Sequence, residues 1–203
     1  MMTFADTYKD GLQHADPIEL FRLWNHEMQA NPTGEPAAMV LSTASADCMV
    51  SSRIVLLKEF GRNGFVFFTN YLSRKAFQLD TNPNASLLFY WPNQHRQVRI
   101  EGTVEKVSDE ESDRYFESRP EESRIGAWAS EQSMEIESRA VLEERFAQFR
   151  AKFGNKIPRP PHWGGYSLKP EMFEFWQEGE HRLHDRIVFR ISNGLWKHKR
   201  LAP

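Results

Sequence analysis

The strongest constraint on this chain is a procession of short apolar runs bounded by turn residues. Residues 38–41, 53–57, 65–68 and 86–91 form such runs, and Gly61-Arg62-Asn63-Gly64 punctuates two of them. They are too short for helices and have the bounding residues of strands. Residues 97–104 alternate in the period of a half-buried strand. Three further runs close the chain, at 172–176, 186–191 and 195–201, and Ser192-Asn193-Gly194 reads as the hairpin turn between the last two. The strands do not alternate regularly with helices, which disfavours a doubly wound sheet. The order predicts a mainly β, α+β chain whose strands close or nearly close a barrel, decorated by helices.

Helical signals are fewer. Asp16-Pro17-Ile18-Glu19 reads as a helix start, with Asp16 as cap, Pro17 in the first turn and Glu19 closing a capping box. Ile18, Phe21, Leu23, Trp24 and Met28 follow at close to helical spacing, and Asn31-Pro32-Thr33-Gly34 ends the helix. Residues 73–79 form a short helix, Ser108-Asp109-Glu110-Glu111 opens another, and residues 137–153 repeat Leu142, Phe146, Phe149 and Phe153 on one face. Residues 158–165 read as a proline- and glycine-rich loop. Residues 1–15 read as a mobile, polar arm and 16–203 as a single domain. A chain of 203 residues buries roughly 70% of its unfolded surface on folding.

A net charge of −2 argues against nucleic acid as the main partner. The single cysteine, Cys48, allows no intrachain disulfide and suits a reducing compartment. There is no apolar leader and no run near the ~20 residues that span a bilayer. The expectation is a cytoplasmic protein with no membrane partner.

Chemistry enters through cations set among apolar strands. Arg53 opens a run that ends in Lys58, and Ser73-Arg74-Lys75 follows a strand where a helix should start. Backbone N–H groups, the helix dipole and two cations there would make an anion site. Tyr115, Arg119 and Ser123 are four apart, but Pro120 interrupts a continuous helix, so they either line a bend or make an ordinary helix end. The pair His181 and His184 lacks further ligand spacing, so no metal site is expected. No Gly-rich nucleotide loop and no nucleophile elbow is present.

These residues resemble one family nearly throughout the chain from Asp16 onward. The runs R-I-V-L-L-K at 53–58, F-F-T-N-Y-x-S-R-K at 67–75, R-Q-V-R-I-E-G from Arg96 and Y-F-x-S-R-P-x-x-S-x-I-G-A-W from Tyr115 are similar to pyridoxamine 5′-phosphate oxidases. So are Gln132-Ser133, F-W-Q-x-G-E-H-R-L-H-D-R from Phe175 and the terminal R-L-A-P. The resemblance implies an FMN-binding split β-barrel, a homodimer with FMN at the subunit interface. FMN would contact Arg53, Ile54, Val55, Leu56, Leu57, Lys58, Phe68, Thr69, Arg74, Lys75, Gln97, Gln132, Ser133, Trp176 and Arg186. Lys58, Tyr115, Arg119 and Ser123 would hold a substrate phosphate, and Arg182, Leu183 and His184 would face a pyridine ring, Arg182 and His184 as the catalytic pair. Phe68 stands where many members have tyrosine, Arg124 replaces a common glutamine, and the arm has Tyr8 without the arginine that precedes it in some members.

The implied reaction takes a hydride from C4′ of pyridoxine or pyridoxamine 5′-phosphate to flavin N5. Molecular oxygen then reoxidises the flavin, and the products are pyridoxal 5′-phosphate and hydrogen peroxide. Two alternatives share the fold: an oxidase for a non-phosphorylated aromatic such as a phenazine precursor, and a flavin-binding protein without activity.

Overall fold

The computed structural model describes residues 16–30, 32 and 34–203. The arm expected over 1–15, Tyr8 included, lies outside the described residues, as do Asn31 and Thr33 of the expected helix stop.

The first helix, α1 (Pro17–Ala30), begins as its sequence dictates. Asp16 Oδ1 accepts the Ile18 N–H at 2.9 Å. Glu19 turns forward onto Arg22 at 3.1 Å instead of closing a capping box. The helix buries Ile18, Leu20, Phe21, Trp24 and Met28. Leu23, expected on this face, is 38% exposed, because the 3.6-residue period carries Leu20 inward and turns Leu23 aside.

Nine antiparallel strands follow: β1 (Ala38–Ala44), β2 (Val50–Leu56), β3 (Glu59–Gly61), β4 (Gly64–Asn70), β5 (Asn84–Trp91), β6 (Arg96–Lys106), β7 (Trp163–Gln177), β8 (Asp185–Ser192) and β9 (Leu195–Leu201). Their order is β2-β1-β5-β6-β7-β4-β3, with β8 on β7 and β9 on β8. Strand β7 is the hinge of the design. Its first half pairs β4, its second half pairs β8, and β6 runs along both. The sequence suggested only 172–176, with Gly164 and Gly165 in the loop expected over 158–165. The register shifts beside Gly102, which pairs Pro170 while Glu101 pairs Met172 and leaves Glu171 as the extra residue, and a Cβ on Gly102 would lie 1.9 Å from the Lys169 carbonyl oxygen, so only glycine fits there. The β8–β9 turn is as expected: Asn193 and Gly194 have φ of 54° and 74°, the left-handed pair of a two-residue hairpin.

The two ends of the strand path, β2 and β3, are consecutive in sequence. They meet where Leu57 N–H bonds Ala37 O and Lys58 N–H bonds Val66 O, each at 2.8 Å. Above this seam β2 and β4 diverge, and the barrel is split. Its interior is filled by rings such as Phe21, Phe65, Phe67, Phe89, Phe173 and Phe175, all fully buried. Among the described residues four helices lie outside: α2 (Arg74–Thr81), α3 (Asp109–Ser118), α4 (Glu121–Ala129) and α5 (Arg139–Phe153). Ser108 caps α3 by accepting the Glu111 N–H at 3.1 Å. A second, smaller core joins Phe116, Ile125, Ile157 and Trp163 to Phe146, Phe149 and Phe153. No helix among the described residues is long and apolar enough to cross a membrane.

Candidate functional site

The split opens a cleft of about 1050 Å³ between β2 and β4, walled by α3, α4 and the loop through Ser133. Among the described residues its lining includes five cationic side chains, Arg53, Lys58, Arg74, Lys75 and Arg119, and no carboxylate. A cleft so charged, and without an acid to balance it, is built for anions.

One group of cations gathers at the start of α2. Lys75 is 8% exposed, yet its ammonium is fully hydrogen-bonded: to Thr69 Oγ1 and Ser73 Oγ at 3.0 Å and to Gln132 Oε1 at 2.8 Å. All three acceptors are neutral. Burial, then repulsion from Arg53, lowers its pKa to about 8. Arg53 is held in the same way, by Leu41 O at 3.1 Å, Thr43 Oγ1 at 2.7 Å and Ser51 Oγ at 2.5 Å. Burial and Arg74 lower its pKa as well. The Arg74 N–H reaches Ser133 Oγ at 3.2 Å, and Ser133 takes a left-handed φ of 77°.

A second station forms where α3 ends. Arg119 leaves the helix with φ −77° and ψ 149°, and Pro120 starts α4. Tyr115, Arg119 and Ser123 therefore line a bend, the first of the two expected alternatives. Tyr115 stacks on Phe68 at 4.0 Å, and Phe68 on Trp163 at 5.5 Å. The Arg119 guanidinium lies 4.7 Å above the Trp163 ring. Its Nη1 is buried without a partner among the described residues, and burial lowers its pKa. Lys58 Nζ stands 5.7 Å from the Tyr115 ring. Arg159 anchors this corner, donating to Asp109 at 2.7 Å, Asp113 at 2.5 Å and Trp163 O at 2.7 Å.

Of the residues singled out in the sequence, Arg53, Ile54, Val55, Leu56, Lys58, Phe68, Thr69, Arg74, Lys75, Tyr115, Arg119, Ser123, Gln132 and Ser133 line this one cleft. Leu57 does not; its side chain belongs to the barrel core. Gln97, Trp176 and Arg186 sit side by side on β6, β7 and β8, away from the cleft. Arg186 donates to buried Glu174 at 2.9 Å and to Ala202 O at 3.0 Å. The His184 ring lies 4.8 Å from that of Trp176, and His184 Nδ1 accepts the Gly179 N–H at 3.3 Å. His181 and Arg182 both have positive φ, 54° and 63°, and a Cβ on Gly179 would lie 2.1 Å from Leu183 O. The loop is folded tightly on itself and leaves Leu183 72% exposed. Leu183 and His184 border a separate hollow with Arg200 and Pro203. Ser51 and Thr43 carried no sequence signal, and Trp163 carried only that of a tryptophan expected in the core or an interface. Gln78, four residues after Arg74, carried one in its helical spacing.

The outer face of the sheet is apolar on one side. Ile54, Val40 and Leu88 are lateral neighbours across β2, β1 and β5, and Ile54 is 70% exposed. Along the same row Leu88 adjoins Arg99, whose Nη2 lies 2.6 Å from Glu174.

The sequence matches the family described as pyridoxamine 5′-phosphate oxidase over residues 25–153. Residues 163–203 match that described as the pyridoxine 5′-phosphate oxidase C-terminal dimerisation region. A pyridoxine/pyridoxamine 5′-phosphate oxidase of Cupriavidus pinatubonensis is 55% identical over 189 residues, 93% of this chain and 89% of the relative. One of Bordetella avium is 56% identical over 190 residues, 93% and 90% of the two chains. Among solved structures, PhzG from Burkholderia lata 383, in complex with tetrahydrophenazine-1-carboxylic acid, superposes with a TM-score of 0.92 at 31% identity, covering 100% of this chain and 98% of that one.

Proposed function

The chain belongs to the pyridoxamine 5′-phosphate oxidase family, and on that premise we propose that it holds FMN in the cationic cleft and oxidises pyridoxine or pyridoxamine 5′-phosphate to pyridoxal 5′-phosphate. The observation that carries this reading is the division of the cleft's cations into two stations with no carboxylate between them. Two phosphate monoesters, one on the cofactor and one on the substrate, account for both.

The residues fit FMN. No carboxylate neutralises Arg53 or Lys75, whose side-chain acceptors are all neutral, and Arg74 stands exposed beside them at the helix start. Ile54, Val55 and Leu56 give the cleft an apolar wall for a planar ring. Bound flavin supplies the hydride acceptor and the route to oxygen. Arg119 Nη1, buried and unpartnered, takes a phosphate oxygen, assisted by Lys58, Tyr115 and Ser123. Arg182 and His184 orient the substrate ring. Accepting from Gly179 fixes His184 Nδ1 as a lone pair, so the neutral ring presents Nε2–H to its ligand.

Gln97, Trp176, Arg182, Leu183, His184 and Arg186 do not line the cleft of their own chain. In the proposed assembly, a homodimer packed through the apolar sheet face, a second copy brings them to it. The exposed thiol of Cys48 suits a reducing, cytoplasmic setting.

The test is oxygen consumption with pyridoxine 5′-phosphate and with pyridoxine. The phosphorylated form should be favoured in kcat/KM by on the order of 10⁴-fold, and Arg119→Ala should shrink that preference by raising KM. Equal kcat/KM for the two would remove the substrate phosphate station and favour a non-phosphorylated aromatic such as the PhzG ligand. Absence of turnover with bound FMN would leave a flavin-binding protein.

A further inference from the structure

Behind the cleft, and absent from its lining, lies Gln78 on α2, 5% exposed. Its Oε1 accepts two hydroxyl protons, from Thr43 at 2.5 Å and from Ser51 at 2.8 Å. Those two hydroxyls are the ones that receive the Arg53 fork, on Nη1 at 2.7 Å and Nη2 at 2.5 Å. A hydroxyl has one proton and two lone pairs. With its proton committed to Gln78, each oxygen can only accept toward Arg53. The Gln78 Nε2 group, 3.4 Å from Met49 O, sets the amide the right way round.

Resting on the FMN reading above, we propose that Gln78 is a positioning residue for the cofactor phosphate: it aims Arg53 through Thr43 and Ser51 while adding no charge of its own. An arginine fork carries five N–H groups. Three are engaged, by Leu41 O and the two hydroxyls. The Nε–H and one Nη2–H have no acceptor among the described residues, and they remain for an anion. A carboxylate at position 78 could accept the same two hydroxyl protons. It would also set a negative charge one hydroxyl away from the guanidinium and weaken its hold on phosphate. The neutral amide is the side chain that fixes the geometry without that cost. The same logic recurs at Lys75, where Gln132 supplies the amide oxygen.

The experiment measures the dissociation constants of FMN and riboflavin for the apo-dimer by flavin fluorescence, together with the apo-protein melting temperature. Wild type should bind FMN far more tightly than riboflavin; if it does not, the phosphate reading of the cleft fails before Gln78 is tested. Gln78→Met removes the acceptor at similar volume and should lower the FMN preference about tenfold, leaving riboflavin within twofold. Gln78→Glu keeps both accepted hydrogen bonds and loses only the long Nε2 donation to Met49 O, so it should still fold and lose the preference; it serves if the Met variant does not fold. A purely structural Gln78 would lower the melting temperature and weaken both flavins equally. That outcome, or a preference within twofold of wild type in a folded variant, overturns the proposal.

Discussion

Lys75 Nζ and Gln132 Oε1 are 2.8 Å apart, although 57 residues separate them in the chain. The contact ties the start of α2 to the loop after α4, and it holds a cation in a place where water would otherwise solvate it.

That burial makes the proposed FMN site pH-dependent. The Lys75 pKa falls from 10.5 to about 8 in the folded apo-protein. Between these values the unfolded chain binds the extra proton, so this group's contribution to apo-protein stability rises as pH increases from about 8 to 10.5. Anion binding has the opposite sense, because it requires the charged form. FMN affinity should therefore fall as pH is raised through about 8, while riboflavin affinity stays level. Titration of both flavins from pH 7 to 9.5 checks this, and parallel curves would exclude Lys75 from the phosphate station.

Arg182 should act on turnover and not on cofactor retention. It lies in the tightly folded loop beside His184, outside the cleft lined by Arg53, Lys58, Arg74, Lys75 and Arg119. Arg182→Ala should reduce kcat and kcat/KM together by about 100-fold, as expected when an interaction made mainly in the transition state is lost. The FMN-to-chain ratio should remain that of wild type. A variant that loses FMN but turns over normally once reconstituted would assign Arg182 to the cofactor.

Assembly should depend on the apolar row across β2, β1 and β5. Leu88 sits in that row between Val40 and Arg99, with Glu174 paired to Arg99 nearby. Leu88→Lys places an unpaired charge in the contact, at a cost of several kcal/mol if the face is buried. Sedimentation should show the wild type as a dimer and the variant as a monomer that has lost activity, since the Arg182 loop would no longer reach a cleft. An active monomeric variant would show that one chain is sufficient.

What the sequence determined by itself is local. The turn at Asn193-Gly194 follows from the left-handed φ that these residues tolerate. Asp16 and Ser108 cap because a short side-chain oxygen reaches a free helical N–H. The bend at Pro120 follows from proline's missing donor. The grouping of Arg53, Lys58, Arg74 and Lys75 was legible as anion chemistry, because a solvated strand-edge charge explains one cation more readily than four, whereas spacing alone left Tyr115, Arg119 and Ser123 between a phosphate site and an ordinary helix end. Tertiary structure decided the rest. Strand β7 extends through Gly164, Gly165 and Pro170 because β4 and β6 supply partners that local propensity does not record. The division of the site residues into a cleft set and an outer set follows from which face of the sheet each strand presents. Gln78, one polar residue on a short helix, acquires its role only when β1 and β2 bring Thr43 and Ser51 within reach of its amide oxygen. Periodicity is written along the chain, whereas hydrogen-bond direction depends on groups that meet only when the barrel forms.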